Sequence, residues 1–395
     1  MATIRNRRLT KAMCMALILA TLAPSVLAYP PDNAAVLYYR ACLSYRVDRE
    51  VEAALKEVAR GGVEVGDGMK EFIRSNRFAV KFAVTAADVS NCDWGLDYSA
   101  GTAMIMPPLS TLRNLARLLL ADARVAAAEG DYELALDRCL SVLKMSAHIG
   151  DDVAISYLVS LSTGMITNEC IQEILSDMPV DLEILTWLKD RLADATGTIL
   201  STRTAVSGDA RMVLVDVRTE NAEEMLGWLP GSDAASDLEK LAAQRLREAD
   251  DEFFDENRDY YKNYMSALAA VLDPSVPYAQ AYDELTTLSD KIRKDALEGV
   301  GATLATFAAP EPRGIYNKEI EYKTFLNAVK TAVDIYIVRA KTGRLPDAPL
   351  PHSPRDSFSG KDFEYERQDG SFILRCRGKD LGKNKIHEYE FKVSR

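Results

Sequence analysis

The chain has 395 residues, 48% of them hydrophobic and 27% charged, a balance that excludes a disordered tail protein and a multi-span membrane protein. Fifty-nine acids against 48 bases leave a formal charge of −11. This counts against a general nucleic-acid binder, which needs clustered Lys and Arg, and three histidines are too few for a histidine-rich metal site.

Arg5, Arg7, Arg8 and Lys11 open the chain, Ala12 to Ala23 form an apolar run, and Pro24 to Ala28 end it in small residues. The pattern reads as a secretory signal peptide over residues 1–28, cut after Ala28. An uncleaved anchor is the alternative, but the run is shorter than the roughly 20 residues that cross a bilayer. Without the leader's four bases, 44 bases face 59 acids, a net charge of −15. The expected location is periplasmic or extracellular, with no stable membrane insertion after cleavage. Five cysteines then remain, Cys42, Cys92, Cys139, Cys170 and Cys376, an odd number with no C-x-x-C pair. Cys139 and Cys170 fall in apolar helical patterns and read as buried hydrophobes, whereas a Cys42–Cys92 disulfide is a pairing that export permits.

Helical patterns dominate to about residue 340. Asp32 or Asn33 caps a helix through Tyr45, Asp48 caps a second to Ala59, and a third is expected over Met69 to Phe82. The glycine-rich stretch Gly61 to Gly68 lacks the lysine of a phosphate loop and reads as a turn. Asn91 to Tyr98 breaks the periodicity, and Pro107-Pro108 closes that irregular stretch. Within it Asp93, Trp94, Asp97 and Tyr98 form a candidate interaction or structural loop, with Trp94 either plugging the helical domain or meeting a partner.

Leu112, Leu115, Ala116, Leu119, Ala123 and Ala126, then Leu136, Cys139, Leu140, Leu143 and Ala147 across Gly130-Asp131, predict an antiparallel helical hairpin. With Ala123 and Ala135 beside the turn, Leu119 to Ala147 resembles one tetratricopeptide repeat. It departs from that pattern at Asp122, a usually apolar position, and at Ala147, where a proline usually closes the repeat. No second copy follows at the same period, so the hairpin is expected inside a larger helical domain, with a degenerate solenoid as the alternative.

Further helices are predicted over Val153–Leu175, Asp181–Ala195, Ile199–Leu229 with an interruption near Gly208, Asp237–Leu272 and Tyr278–Lys294. Phe253, Tyr260, Tyr261 and Tyr264 share a helix face at these spacings, as core packing or as the lining of a ligand groove rimmed by Asp250, Asp251, Glu252, Asp255 and Glu256. After Ala308 the stretch 309–315, with two prolines and a glycine, reads as a linker between a helical domain (29–308) and a small module (316–395). The module opens with an amphipathic helix over Tyr322 to Ala340. Phe363 and Tyr365, the turn Gln368 to Ser371, the face Phe372, Leu374 and Cys376, and Tyr389 to Val393 then predict short antiparallel strands. The fold class expected is mainly α, with repeat-like hairpins and a C-terminal α+β module.

That ending, with Gly343-Arg344-Leu345-Pro346, Arg355 to Lys361 and Gly378-Lys379-Asp380, resembles the globular part of a type II secretion major pseudopilin. The resemblance implies a helix on a small antiparallel sheet and a calcium-binding loop near the end. Asp380 and Asn384 stand there among Lys379, Lys383 and Lys385, so no metal and no cofactor are expected. Together with Asn33 to Tyr39 and the hairpin, the ending also resembles sets of helical exported proteins of planctomycete-type bacteria, which implies an envelope setting and no activity. No nucleophile-elbow, metalloprotease, Walker or dinucleotide motif occurs, and His148, His352 and His387 carry no triad pattern. The function expected is a non-enzymatic, exported protein-interaction or scaffold protein with an unknown protein partner and no nucleic acid. The alternatives are an accessory subunit of a secretion or pilus-like system and an enzyme of unknown reaction.

Overall fold

Side-chain caps start most of the helices. The computed structural model describes residues 32–150, 153–196, 201–229, 236–299, 301–309, 311–348 and 350–393, so the signal peptide expected over residues 1–28 lies outside the described residues. Asn33 accepts from the Ala35 N–H and opens α1 (Ala34–Ser44), and Asp48 does the same for Glu50 and Val51 at α2 (Arg49–Ala59). The single helix expected over Met69–Phe82 is two, α3 (Asp67–Ser75) and α4 (Arg77–Ala87). Asn76 makes the break: fully buried, its carboxamide accepts from the Arg46 N–H at 2.7 Å and donates to the Phe72 carbonyl. Local periodicity did not reveal that tertiary demand.

The hairpin forms as α5 (Leu109–Ala128) and α6 (Tyr132–Ile149), with Asp131 capping Leu134 and Ala123 and Ala135 fully buried at the close approach. Asp122 reaches across the hairpin to Arg138 Nε at 2.7 Å, so an ion pair occupies the place of an apolar contact. Next come α7 (Ala154–Asp177), α8 (Leu182–Ala195) and α9 (Thr202–Asp216). Helix α9 runs through the buried Gly208 without interruption and stops at Val217 instead. Asp216 there accepts from the Thr102 N–H and hydroxyl at 2.7 and 2.6 Å and holds the 3-10 turn Tyr98–Ala103. Gly101 in that turn has φ +57°, and a Cβ there would lie 2.2 Å from the Asp216 carboxylate, so only glycine fits.

After the short α10 (Ala222–Leu226), the long helix expected over Asp237–Leu272 is α11 (Asp237–Arg247) and α12 (Asp251–Val271). Asp250 causes the break by capping Phe253 at 2.9 Å. Then follow α13 (Tyr278–Glu298), α14 (Ala305–Ala308) and α15 (Pro312–Thr342). Pro312, Arg313 and Gly314, read as linker, form the first turn of α15, where proline is favoured.

Strands β1 (Glu364–Gln368), β2 (Ser371–Arg375) and β3 (Glu388–Lys392) form one antiparallel sheet in the order β1-β2-β3. The chain is mainly α with a small β module. Its principal hydrophobic core runs through both, from Leu115 in α5 to Phe372 in β2. Helix α15 is the element between them: Phe325 stacks on Tyr389 and Tyr336 meets Phe372 edge-on in the sheet, while Tyr322 and Leu326 pack with Tyr157 and Leu161 of α7. No helix among the described residues is long and apolar enough to cross a membrane.

Candidate functional site

Lys70 and Arg74 on α3, then Arg77 and Lys81 on α4, follow at intervals of four, three and four residues, the spacing of one helix side. They rim a groove of about 520 Å³ between α3–α4 and the α5–α6 hairpin. Its floor is apolar, from Ile73, Val80, Val84 and Val125, and Arg138 stands on the hairpin side. Two acids also line it, and both are committed: Asp122 to Arg138, and Glu129 to Lys70 at 3.5 Å. Arg74 pairs with Glu71, and the Arg77 guanidinium lies 5.0 Å over its neighbour Phe78. Neither Arg77 nor Lys81, both exposed, has an acidic partner among the described residues. Five bases and two acids thus face one groove in an acidic chain. The sequence reading missed these bases, although their 4-3-4 spacing was visible.

Each candidate position of the Asn91–Tyr98 loop makes contacts within the chain. Trp94 is 8% exposed, donates from Nε1 to the His148 carbonyl at 2.7 Å and stacks on Tyr38, with Tyr39 edge-on. Asp93 accepts from the Gly95 N–H, and its backbone exchanges two hydrogen bonds with the Asn33 side chain, tying the loop to the start of α1. Asp97 caps Ser99 at 3.0 Å, and Tyr98 lies under the Arg211 guanidinium. A cleft of about 590 Å³ opens beside the loop, lined by Asp88, Cys92, Lys144 and His148 among others. His148 Nδ1 meets the Tyr38 hydroxyl at 3.0 Å, and burial, aided by the Lys144 charge, pushes its imidazole down to about 4. It stands neutral at pH 7, held by Tyr38. Cys42 and Cys92 are half-buried and form no disulfide, so the pairing that export permits is not formed here, while Cys139 and Cys170 are fully buried.

The aromatic face divides on α12. Tyr261 and Tyr264 are buried in the core, and Phe253 is half-buried edge-on to the buried Phe254. Tyr260 turns instead to α13, where its hydroxyl donates to Asp295 at 2.6 Å and Lys291 lies over its ring. The four residues therefore do not share one surface: two are in the core, one is half-buried beside it, and Tyr260 faces α13. The acids Asp250, Asp251, Glu252, Asp255 and Glu256 are exposed beside them.

Between β2 and β3 a polar cluster is buried. Glu321, Asp380 and His387 bring ligand-type atoms within 4.8 Å of one another. Calcium is the ion that a pseudopilin-type ending implies at this loop, and it takes roughly six to eight oxygen ligands. Here the oxygens face nitrogen donors instead. Asp380 accepts from the Asn317 amide at 3.0 Å and the Lys383 N–H at 2.8 Å, its other oxygen lies 2.8 Å from His387 Nε2, and the Lys383 ammonium sits on Glu321. The donor set does not fit calcium, because the loop's own lysine and imidazole already satisfy the two carboxylates. Burial alone would raise Asp380, but the hydrogen bonds from His387, Lys383 and Asn317 outweigh it and hold the carboxyl below its ordinary range.

Comparison of the chain with protein-family models, with curated proteins and with solved structures found no match.

Proposed function

We propose that this chain is an exported, non-catalytic protein-binding scaffold of the bacterial envelope, and that the groove between α3–α4 and the α5–α6 hairpin is its binding surface. One observation carries the reading: a concave apolar floor rimmed by bases, two of them without acidic partners among the described residues, in a chain whose overall charge is negative. Arg77 and Lys81 lie one turn apart on an exposed helix side, and a bound acidic partner would neutralise both. The leader-like residues 1–28 support the envelope setting. A photo-crosslinking residue in place of Thr85, in the groove, should capture a discrete partner in intact cells, and one in place of Lys262 on α12 should not. A defined reaction found in a hydrolase and transferase screen, and lost on changing a cleft carboxylate, overturns the reading.

A second reading, an accessory subunit of a secretion or pilus-like system, draws support from the packing of α15 on a three-stranded antiparallel sheet. Co-purification with pseudopilins would favour it.

A further inference from the structure

We infer that the groove takes an extended protein segment in which acidic and apolar side chains alternate. This rests on the scaffold reading and names the partner's chemistry. Arg77 and Lys81 are one helical turn apart on α4, about 6 Å along the axis. Alternate residues of an extended chain are about 6.6 Å apart, so two acids at positions i and i+2 match the two free cations. Val80 and Val84 repeat the same one-turn interval on the floor. The intervening side chains of the segment, which point the other way, face the hairpin wall, where Val125 offers an apolar contact.

The two facing walls, α4 and the hairpin, suit an occupant with two opposed rows of side chains. A strand-like segment lies along the groove and places one row of side chains on each wall. Charge selects against the alternatives: a basic segment meets five bases, and a purely apolar one leaves Arg77 and Lys81 unpaired beside it. The committed acids Asp122 and Glu129 hold Arg138 and Lys70 in place at the rim, so the partner's carboxylates find preset donors.

The test uses the mature full chain and a labelled six-residue peptide alternating glutamate and leucine, read by fluorescence anisotropy. Saturable binding is expected, weakened about tenfold or more in an R77E/K81E variant and by raising salt from about 0.05 to 0.5 M, with no binding of the lysine–leucine counterpart. Both substituted residues are exposed, so the melting temperature of the variant should match the parent and separate lost binding from lost folding. If the variant nevertheless melts early, single K81E and K81Q variants, compared at matched folded fraction, carry the same comparison. Equal affinity in the charge-reversed variant, or no binding of the glutamate peptide at millimolar concentration, overturns the inference. Should the peptide fail while the crosslinker at position 85 still captures a discrete partner, the acidic-segment inference falls and the scaffold reading stands. A monomer that dimerises in sedimentation, with dimerisation lost in R77E/K81E and no peptide bound, makes the occupant a second copy and also overturns it.

Discussion

Trp94 and His148 show how single side chains tie distant parts of this chain together. The indole lies between α1 and the end of α6, where it stacks on Tyr38 and donates to the His148 carbonyl. Trp94→Ala removes both packing and hydrogen bond, with an expected cost of about 3–5 kcal/mol. Trp94→Phe keeps a ring against Tyr38 and should melt in between; unchanged melting with a lost partner would assign the loop to docking. His148 makes stability depend on pH. An unfolded histidine takes up its proton near about 6.5, whereas the folded one holds out to about 4. Between those values the unfolded state binds the extra proton, so stability falls as the pH drops through this window. Asp380 acts lower: its depressed carboxyl adds stability that is present above about 3.9 and lost as pH falls further. Asp209, pushed up to about 6 by burial, takes its proton first in the folded state and offsets part of the upper loss, so the urea midpoint of His148→Gln should rise relative to that of the parent as the pH falls from 7 to 4.5. Parent and His148→Gln profiles that run parallel from pH 7 to 4.5 would contradict this account of His148.

Among the elements, the contact of α7 with α15 decides the architecture. Helix α7 is buried on most of its faces, the pattern of a central rather than a surface helix. Gly164 lies against Tyr322, and a Cβ there would stand 2.4 Å from the Tyr322 ring. That ring is itself buried and cannot swing aside. Gly164→Ala should thus cost about 1–3 kcal/mol by forcing the two helices apart, read as a lower melting temperature. Combining it with Tyr322→Leu should recover part of the loss, because the two changes share one contact. Parent-like melting of Gly164→Ala would mean that α15 does not approach α7 so closely.

Over the whole molecule the question is whether residues 312–395 form a unit of their own. Composition around 309–315 points to a linker, yet α15 begins there and offers one side to the sheet and another to the helical domain. Lys189 of α8 pairs with Asp334 at 2.8 Å, and Gln172 and Ser176 of α7 hydrogen-bond the backbone of β3. Tyr278 of α13 adds another tie by donating to Asn317 and accepting from the Leu381 N–H. An isolated 312–395 fragment would expose Ile315, Tyr322 and Leu326 to water. It should show reduced helicity and no cooperative melt by circular dichroism. A sharp, parent-like transition from the fragment would support the two-domain reading.

Sequence alone determined what depends on neighbours a few residues away. Apolar periodicity located α5, α6, α8 and α13, side-chain caps marked the starts of α1 and α2, and alternation with Asp369-Gly370 located the strands. These signals are local because helix and strand repeat within one or two turns. Tertiary structure decided the rest. The break at Asn76 serves a loop thirty residues earlier, the aromatic face on α12 divides because α13 pulls Tyr260 away, and the lysine that meets Glu321 arrives from 62 positions later. The groove belongs to the same class. Its cations lie on one helix face in the sequence, but what makes them a site is the hairpin packed opposite, and a contact between segments that distant leaves no periodic trace in either.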